Sequence, residues 1–139
     1  MRVLQRLNGV TATRDTPRGL VITVPDSGFE NGMVRPATAD MLARMASVLL
    51  PGMHVSVEGY SDTASGAGLA EQRANAVRES LAQRGAGAVT VRNFADSRPL
   101  TSNASPAGRM ENRRVEIVVS GEAIGSRPLW DRSYDVTLR

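Results

Sequence analysis

The first strong hydrophobic pattern along the chain is RGLVITVP, residues 18–25, a run rich in β-branched side chains that closes at Pro25 and reads as a strand. DSGFENGMVRP follows, with Gly28, Gly32 and Pro36 as the punctuation of a loop. The period then changes. In TADMLARMASVLL, Met41, Met45, Val48 and Leu49 share one face of a helix that starts at Thr38 as N-cap and stops at Pro51-Gly52. MHVSVEGY returns to alternation, with Val55 and Val57 facing one way and His54, Ser56 and Glu58 the other. A second helix is expected from about Leu69 to Arg84, with Gly85 as its stop. Its stripe is Leu69, Arg73, Val77 and Leu81 at i, i+4 steps, flanked by Ala70 and Ala74. AVTVRNF, residues 88–94, reads as a third strand, ADSRPLTSNASPAGRMEN as a loop, and RRVEIVVS as a last strand with Val115, Ile117 and Val119 on one face.

The order β-α-β-α-β-β with short connections predicts an α+β sandwich: one mixed sheet with the helices packed on one face. A chain of 139 residues suits one domain. The expected boundaries are a flank at 1–9, the domain at 10–120 and a tail of no strong periodicity at 121–139. No run approaches the roughly 18 to 20 apolar residues that cross a bilayer. MRVLQRLNGV lacks the apolar segment of a signal peptide, so the chain taken literally is cytosolic, and taken as part of a longer protein its compartment is open.

Composition narrows the chemistry. Cysteine is absent, which excludes disulfides, thiolate metal sites, cysteine nucleophiles and a lipid-modified cysteine within this chain. All 17 basic residues are arginine, the side chain that grips carboxylates with two parallel hydrogen bonds. A net charge of +3 is too small to argue for nucleic acid. His54, the single histidine, has no serine or acid at a relay spacing, and SGAG and RGAGA lack the lysine or serine of a phosphate loop. No catalytic acid pair, nucleophile relay, metal site or cofactor motif is found, and the expectation is a protein that is not an enzyme.

What does stand out is Arg73, a basic residue inside the apolar stripe. An unpaired buried guanidinium is costly, so either Arg73 reaches solvent at the rim of the sheet or a carboxylate meets it. Asp62, in the loop joining the second strand to this helix, lies at the same rim. Two readings remain open on the residues alone. One is an internal Asp62–Arg73 salt bridge; the other is a zwitterion site, with Arg73 forking a ligand carboxylate and Asp62 accepting from a ligand ammonium. Arg113 and Arg114 of NRRVEI point to opposite strand faces, so at most one joins the site while the other is solvated.

Residues 10–120 resemble the OmpA-like C-terminal domain, a non-catalytic peptidoglycan-binding module. The carrying residues are RGLVITV, VEGYSD against V-E-G-H-T/S-D, LAEQRANAV against L-S-x-x-R-A-x-x-V, and SRPLTSNASPAGRMENRRVEIVV against a closing pattern matched almost position for position. The resemblance implies that the partner is the diaminopimelate of uncrosslinked peptidoglycan stems, with Asp62 on the ligand and Arg73 holding its carboxylate. It favours the zwitterion reading. Glu30, which stands where the family has aspartate after Phe29, is implied around that pair, as are Thr63, Asn112 and Arg114. It also implies a periplasmic location, with any membrane anchor outside this chain. Two departures count. Asp62 and Arg73 are eleven steps apart, roughly four fewer than the family's pattern, and Tyr60 replaces its histidine. The alternative is a structural or interaction domain that has lost peptidoglycan binding through this shortened loop, in which Asp62 and Arg73 bond directly across a closed site.

Overall fold

The computed structural model describes residues 14–49, 53–84 and 89–121. Strands β1 (Arg14–Thr16), β2 (Gly19–Val24), β5 (His54–Tyr60), β6 (Val89–Ala95) and β7 (Arg114–Ser120) form a five-stranded sheet in the order β1-β2-β7-β5-β6. Only β5 and β6 run parallel, and their crossover carries the helix α2 (Ala67–Gln83); the other neighbours are antiparallel, so the sheet is mixed as expected. Ile22, Ile117 and Val57 are in register across three strands and mark the middle of the core. Around them, Leu20, Val24, Val55, Val115 and Val119 meet Leu42, Met45 and Ala46 of helix α1 (Pro36–Val48) and Ala74, Val77 and Leu81 of α2. Each fully buried aliphatic side chain of this kind contributes about 1.5 to 3 kcal/mol.

Several boundaries differ from the sequence expectation, each for a local reason. Helix α1 starts at Pro36 with Arg35 as N-cap, and Thr38 sits inside the first turn, where its hydroxyl donates to the Gly28 carbonyl at 2.8 Å. Proline is preorganised for the first helical position, so the N-cap moves three residues earlier, from Thr38 to Arg35. Helix α2 likewise begins at Ala67, and Leu69 is 36% exposed rather than part of the buried stripe. Residues 29–34, expected as loop, hold a small ribbon, β3 (Phe29–Glu30) with β4 (Met33–Val34), turned by Asn31 at φ 56° and Gly32. The long loop before the last strand contains a third helix, α3 (Pro106–Asn112), capped by Ser105, whose Oγ accepts from the Gly108 N–H at 3.0 Å. Pro51-Gly52, Gly85 and the tail beyond Gly121 lie outside the described residues.

The face of the sheet away from the helices is polar in sequence yet well packed. Glu58 and Glu116 stand opposite each other in register, and like charges so placed repel. Each has its own guanidinium: Arg18 forks Glu58, and Arg114 Nε donates to Glu116 at 2.8 Å. The Tyr60 hydroxyl donates to Glu58 at 2.8 Å, Arg114 lies 3.9 Å over the Tyr60 ring, and Tyr60 stacks on Phe94 at 5.5 Å. Burial pushes the Glu58 carboxyl upward, but the bonds from Arg18 and Tyr60 outweigh it and hold Glu58 below its usual range. Burial, and then the bond to Glu58, push the Tyr60 phenol up to about 12.

Candidate functional site

The site lies where the C-terminal end of β5 turns into α2. Gly59 makes this corner possible: a Cβ there would come within 2.5 Å of the Ala70 carbonyl oxygen, so the first turns of α2 rest directly on the strand. The next residues form a tight corner. Ser61 Oγ donates to the Thr63 carbonyl at 2.5 Å, a 3-10 turn covers Ala64–Gly66, and the helix follows at once. The shortened loop is therefore a compact turn, and the Asn103 side-chain amide donates to the Asp62 carbonyl at 2.6 Å across from it.

Arg73 falls on the inward side of α2, 8% exposed, because the helical period that buries Val77 and Leu81 also buries the position one turn before them. The segment 26–31 wraps its guanidinium. Nη1 donates to Asp26 Oδ1 at 2.7 Å, Nε donates to the Asn31 carbonyl at 2.8 Å, and the Phe29 ring centroid lies 4.9 Å from Cζ. Nη2 makes no hydrogen bond among the described residues. The ribbon turn thus has a purpose visible in the contacts: Asn31, held in the left-handed region, aims its carbonyl at the arginine.

Asp62 does not bond Arg73. Its Oδ2 accepts from Arg113 Nη1 at 2.9 Å, and Arg113 Nε lies 3.5 Å from Asp26 Oδ1. The four groups form a ladder of alternating charge, Arg73–Asp26–Arg113–Asp62, at the rim of the sheet. The exposed fraction of the side chains rises from 9% at Arg73 through 23% at Asp26 to 34% at Arg113 and falls to 15% at Asp62, so Arg113 is the most open member of the ladder. The direct Asp62–Arg73 pair, required both by the salt-bridge reading and by the closed-site alternative, is replaced by two pairs with partners from other segments.

Placement of the remaining candidates is mixed. Arg114 lies on the far face with Glu116 and Tyr60, away from the ladder and 5% exposed, so the arginine that joins the site is Arg113 and its neighbour is buried rather than solvated. Asn112 is fully buried and ties down residues 100–103: its side-chain oxygen accepts from the N–H groups of Leu100 and Thr101, and its amide donates to the Thr101 carbonyl and Asn103 Oδ1. That role is structural and places Arg113, the next residue. Glu30 is exposed in the ribbon, and the Thr63 hydroxyl pairs with Ser65 Oγ at 3.0 Å. Asp26 is the site residue that sequence reasoning missed; Arg113 was weighed beside Arg114, and the resemblance pointed to Arg114 instead. Asp26 carried a weak signal, an acid immediately after the strand-closing proline.

Elsewhere, no group of three or more His, Asp or Glu among the described residues is arranged to hold a metal ion, and no described helix is long and apolar enough to cross a membrane. A cavity of about 320 Å³ lies on the far face, lined by Arg18, His54, Ser56 and Arg92 among others, but Arg18 is already committed to Glu58.

A mixed sheet with helices on one face and a rim of paired carboxylates and guanidinium groups defines a small α+β domain. The chain belongs to the OmpA family, whose model matches residues 29–113. A probable lipoprotein of Escherichia coli, YiaD, is 31% identical over 131 residues, which cover 86% of this chain and 59% of that protein. The peptidoglycan-binding protein ArfA of Mycobacterium tuberculosis is 36% identical over 101 residues, 67% of this chain and 31% of ArfA. The chain thus spans about three fifths of the length of YiaD and about a third of ArfA. Among solved structures, the cell wall anchor of the T6SS from Pseudomonas aeruginosa superposes with a TM-score of 0.70 at 32% identity, covering 86% of this chain and 95% of the anchor. The periplasmic domain of Helicobacter pylori MotB gives 0.69 at 25% identity, covering 81% and 89%.

Proposed function

We propose that this domain binds peptidoglycan non-covalently through the diaminopimelate of uncrosslinked stem peptides, and so anchors a cell-envelope protein to the wall on the periplasmic side. Residues 10–120 are the binding domain in this reading. The observation that carries it is Arg73: a nearly buried guanidinium, held by Asp26, Asn31 and Phe29, that keeps Nη2 without a partner among the described residues. Such a group is preorganised to receive a carboxylate, because its desolvation and its rotamer are settled before the ligand arrives. Asp62, at the other end of the ladder, supplies the acceptor for an ammonium. An amino acid head group carries both charges in one small unit.

Pull-down on purified sacculi, with free diaminopimelate as competitor, tests the assignment. Arg73→Ala and Asp62→Ala each remove a charge-assisted contact, and each is expected to weaken binding by about 2 kcal/mol, roughly thirtyfold. Undiminished retention of both variants on sacculi would remove these two residues from the site.

A further inference from the structure

We propose that Asp26 and Arg113 together are an internal stand-in for the ligand. In the ladder, the Asp26 carboxylate occupies Arg73 Nη1 at 2.7 Å, and the Arg113 guanidinium occupies Asp62 at 2.9 Å. These are the positions that the carboxylate and the ammonium of an incoming amino acid head would take, so the inference rests on the function proposed above. The two residues lie 3.5 Å from each other, Nε to Oδ1, so a positive and a negative group sit side by side as they do in a zwitterion.

This arrangement dictates how a ligand enters. A carboxylate that forks an arginine needs two of its N–H groups side by side. Arg73 has Nε on Asn31 and Nη1 on Asp26, which leaves Nη2 as the nitrogen without a partner among the described residues. Nη2 keeps its N–H groups for a newcomer while Asp26 stays, but a carboxylate drawn to the Nη1–Nη2 edge meets the Asp26 charge there, so the fork is favoured once Asp26 leaves. On the other side, Arg113 holds Asp62 Oδ2, and a ligand ammonium competes with it for that carboxylate. The displaced pair is not stranded, because Asp26 and Arg113 are already within ion-pair distance and close on each other. Binding becomes an exchange of partners in which every buried charge keeps a counter-charge, so the large penalty for an unpaired buried ion is avoided at each end.

Two consequences follow for affinity and choice of ligand. The fraction of molecules with Arg73 free of Asp26 multiplies the intrinsic affinity, so the internal pair weakens binding by that fraction. A ligand bearing only a carboxylate frees Asp26 but leaves Arg113 on Asp62, and so gains half of the exchange. The stand-in therefore favours a head group with both a free ammonium and a free carboxylate.

Calorimetric titration of free diaminopimelate into the intact chain, beside sacculus pull-down, decides this. Asp26→Asn removes the competing charge at Arg73 while keeping the shape of the side chain, and Arg113→Gln removes the competing charge at Asp62 with a shorter side chain. Asp26→Asn is expected to bind diaminopimelate about tenfold more tightly than the unchanged chain, as follows if the competent fraction is near one tenth, whereas Arg113→Gln takes from Asp26 the partner it closes on and is expected to bind less tightly than Asp26→Asn. Thermal midpoints measured alongside confirm that both variants fold, and Asp26→Glu, which keeps the charge, should retain the original affinity. Tighter binding by Asp26→Asn, or binding that first appears in it, supports the stand-in. Equal or weaker binding by Asp26→Asn, with the unchanged chain still binding, overturns it and leaves the function standing. Absence of binding in all of these proteins overturns both.

Discussion

Gly59 and Arg73 are coupled at the level of single residues. The helix that carries the arginine can sit on the strand only because position 59 has no Cβ: one placed there would lie 2.5 Å from the Ala70 oxygen and 3.0 Å from its carbonyl carbon. Gly59→Ala must push the first turns of α2 outward, and backbone atoms cannot rotate aside as a side-chain end does. The expected loss is about 2 to 3 kcal/mol of stability, read as a lowered urea midpoint, with weaker sacculus binding in the fraction that stays folded. An unchanged midpoint would mean that the helix has room to slide. Asp62 and Arg73 were legible in the sequence because each broke a local expectation, an acid in a loop of small residues and a base on an apolar stripe. Asp26 and Arg113 broke none. Their partners lie 47 and 51 residues away, and only the folded sheet brings those segments to one rim. The direct Asp62–Arg73 pair failed for the same reason, since spacing along the chain says nothing about a third and a fourth charge arriving from elsewhere.

At the scale of elements, what the pattern reveals depends on how much of an element is apolar. Strands β2, β5 and β7 and helices α1 and α2 bury continuous faces, so their periods were readable from Leu20, Ile22 and Val24 through to Val115, Ile117 and Val119, while β6 sets a part-buried Val89 and Val91 against the same core. Helix α3 buries only Gly108 and Asn112 and shows no stripe. Its signal was the Ser105-Pro106 start, a cap followed by a proline at the first helical position. The ribbon β3–β4 was likewise announced only by Asn31-Gly32. Asn112 shows why the short helix matters: four hydrogen bonds from its side chain hold residues 100–103, and the Asn103 amide in turn holds the Asp62 carbonyl. Asn112→Ala leaves buried donors and acceptors without partners and is expected to destabilise the domain by about 3 kcal/mol. It should also speed amide hydrogen exchange across residues 100–103 more than in β2. Uniform acceleration over both segments would show that Asn112 supports the whole domain rather than this loop.

For the molecule as a whole, composition and the packed far face combine into a pH dependence that few domains would show so cleanly. The chain has no lysine and no cysteine, and its arginines stay charged, so between about pH 9 and 12 the side chains that titrate are its two tyrosines, Tyr60 and Tyr134. Tyr60 is 4% exposed, and its phenol is pushed up to about 12 by burial and by its bond to Glu58. A folded-state value above the unfolded 10.0 means that the unfolded chain releases this proton first. The stabilisation is therefore complete below about pH 10 and is lost as pH rises toward 12, by about 2 kcal/mol at pH 11.5. Glu58 works in the opposite direction. Its folded value lies below the unfolded 4.5, so its contribution is present above that pH and is lost as acid protonates the folded carboxylate. Stability should form a plateau bounded by Tyr60 on the alkaline side and Glu58 on the acid side. Urea denaturation at steps from pH 8.5 to 11.5 checks the alkaline limb: the unchanged chain should lose about 2 kcal/mol, whereas Tyr60→Phe should start less stable, lacking the bond to Glu58, and then stay flat. The same slope in both proteins would move the effect to Tyr134.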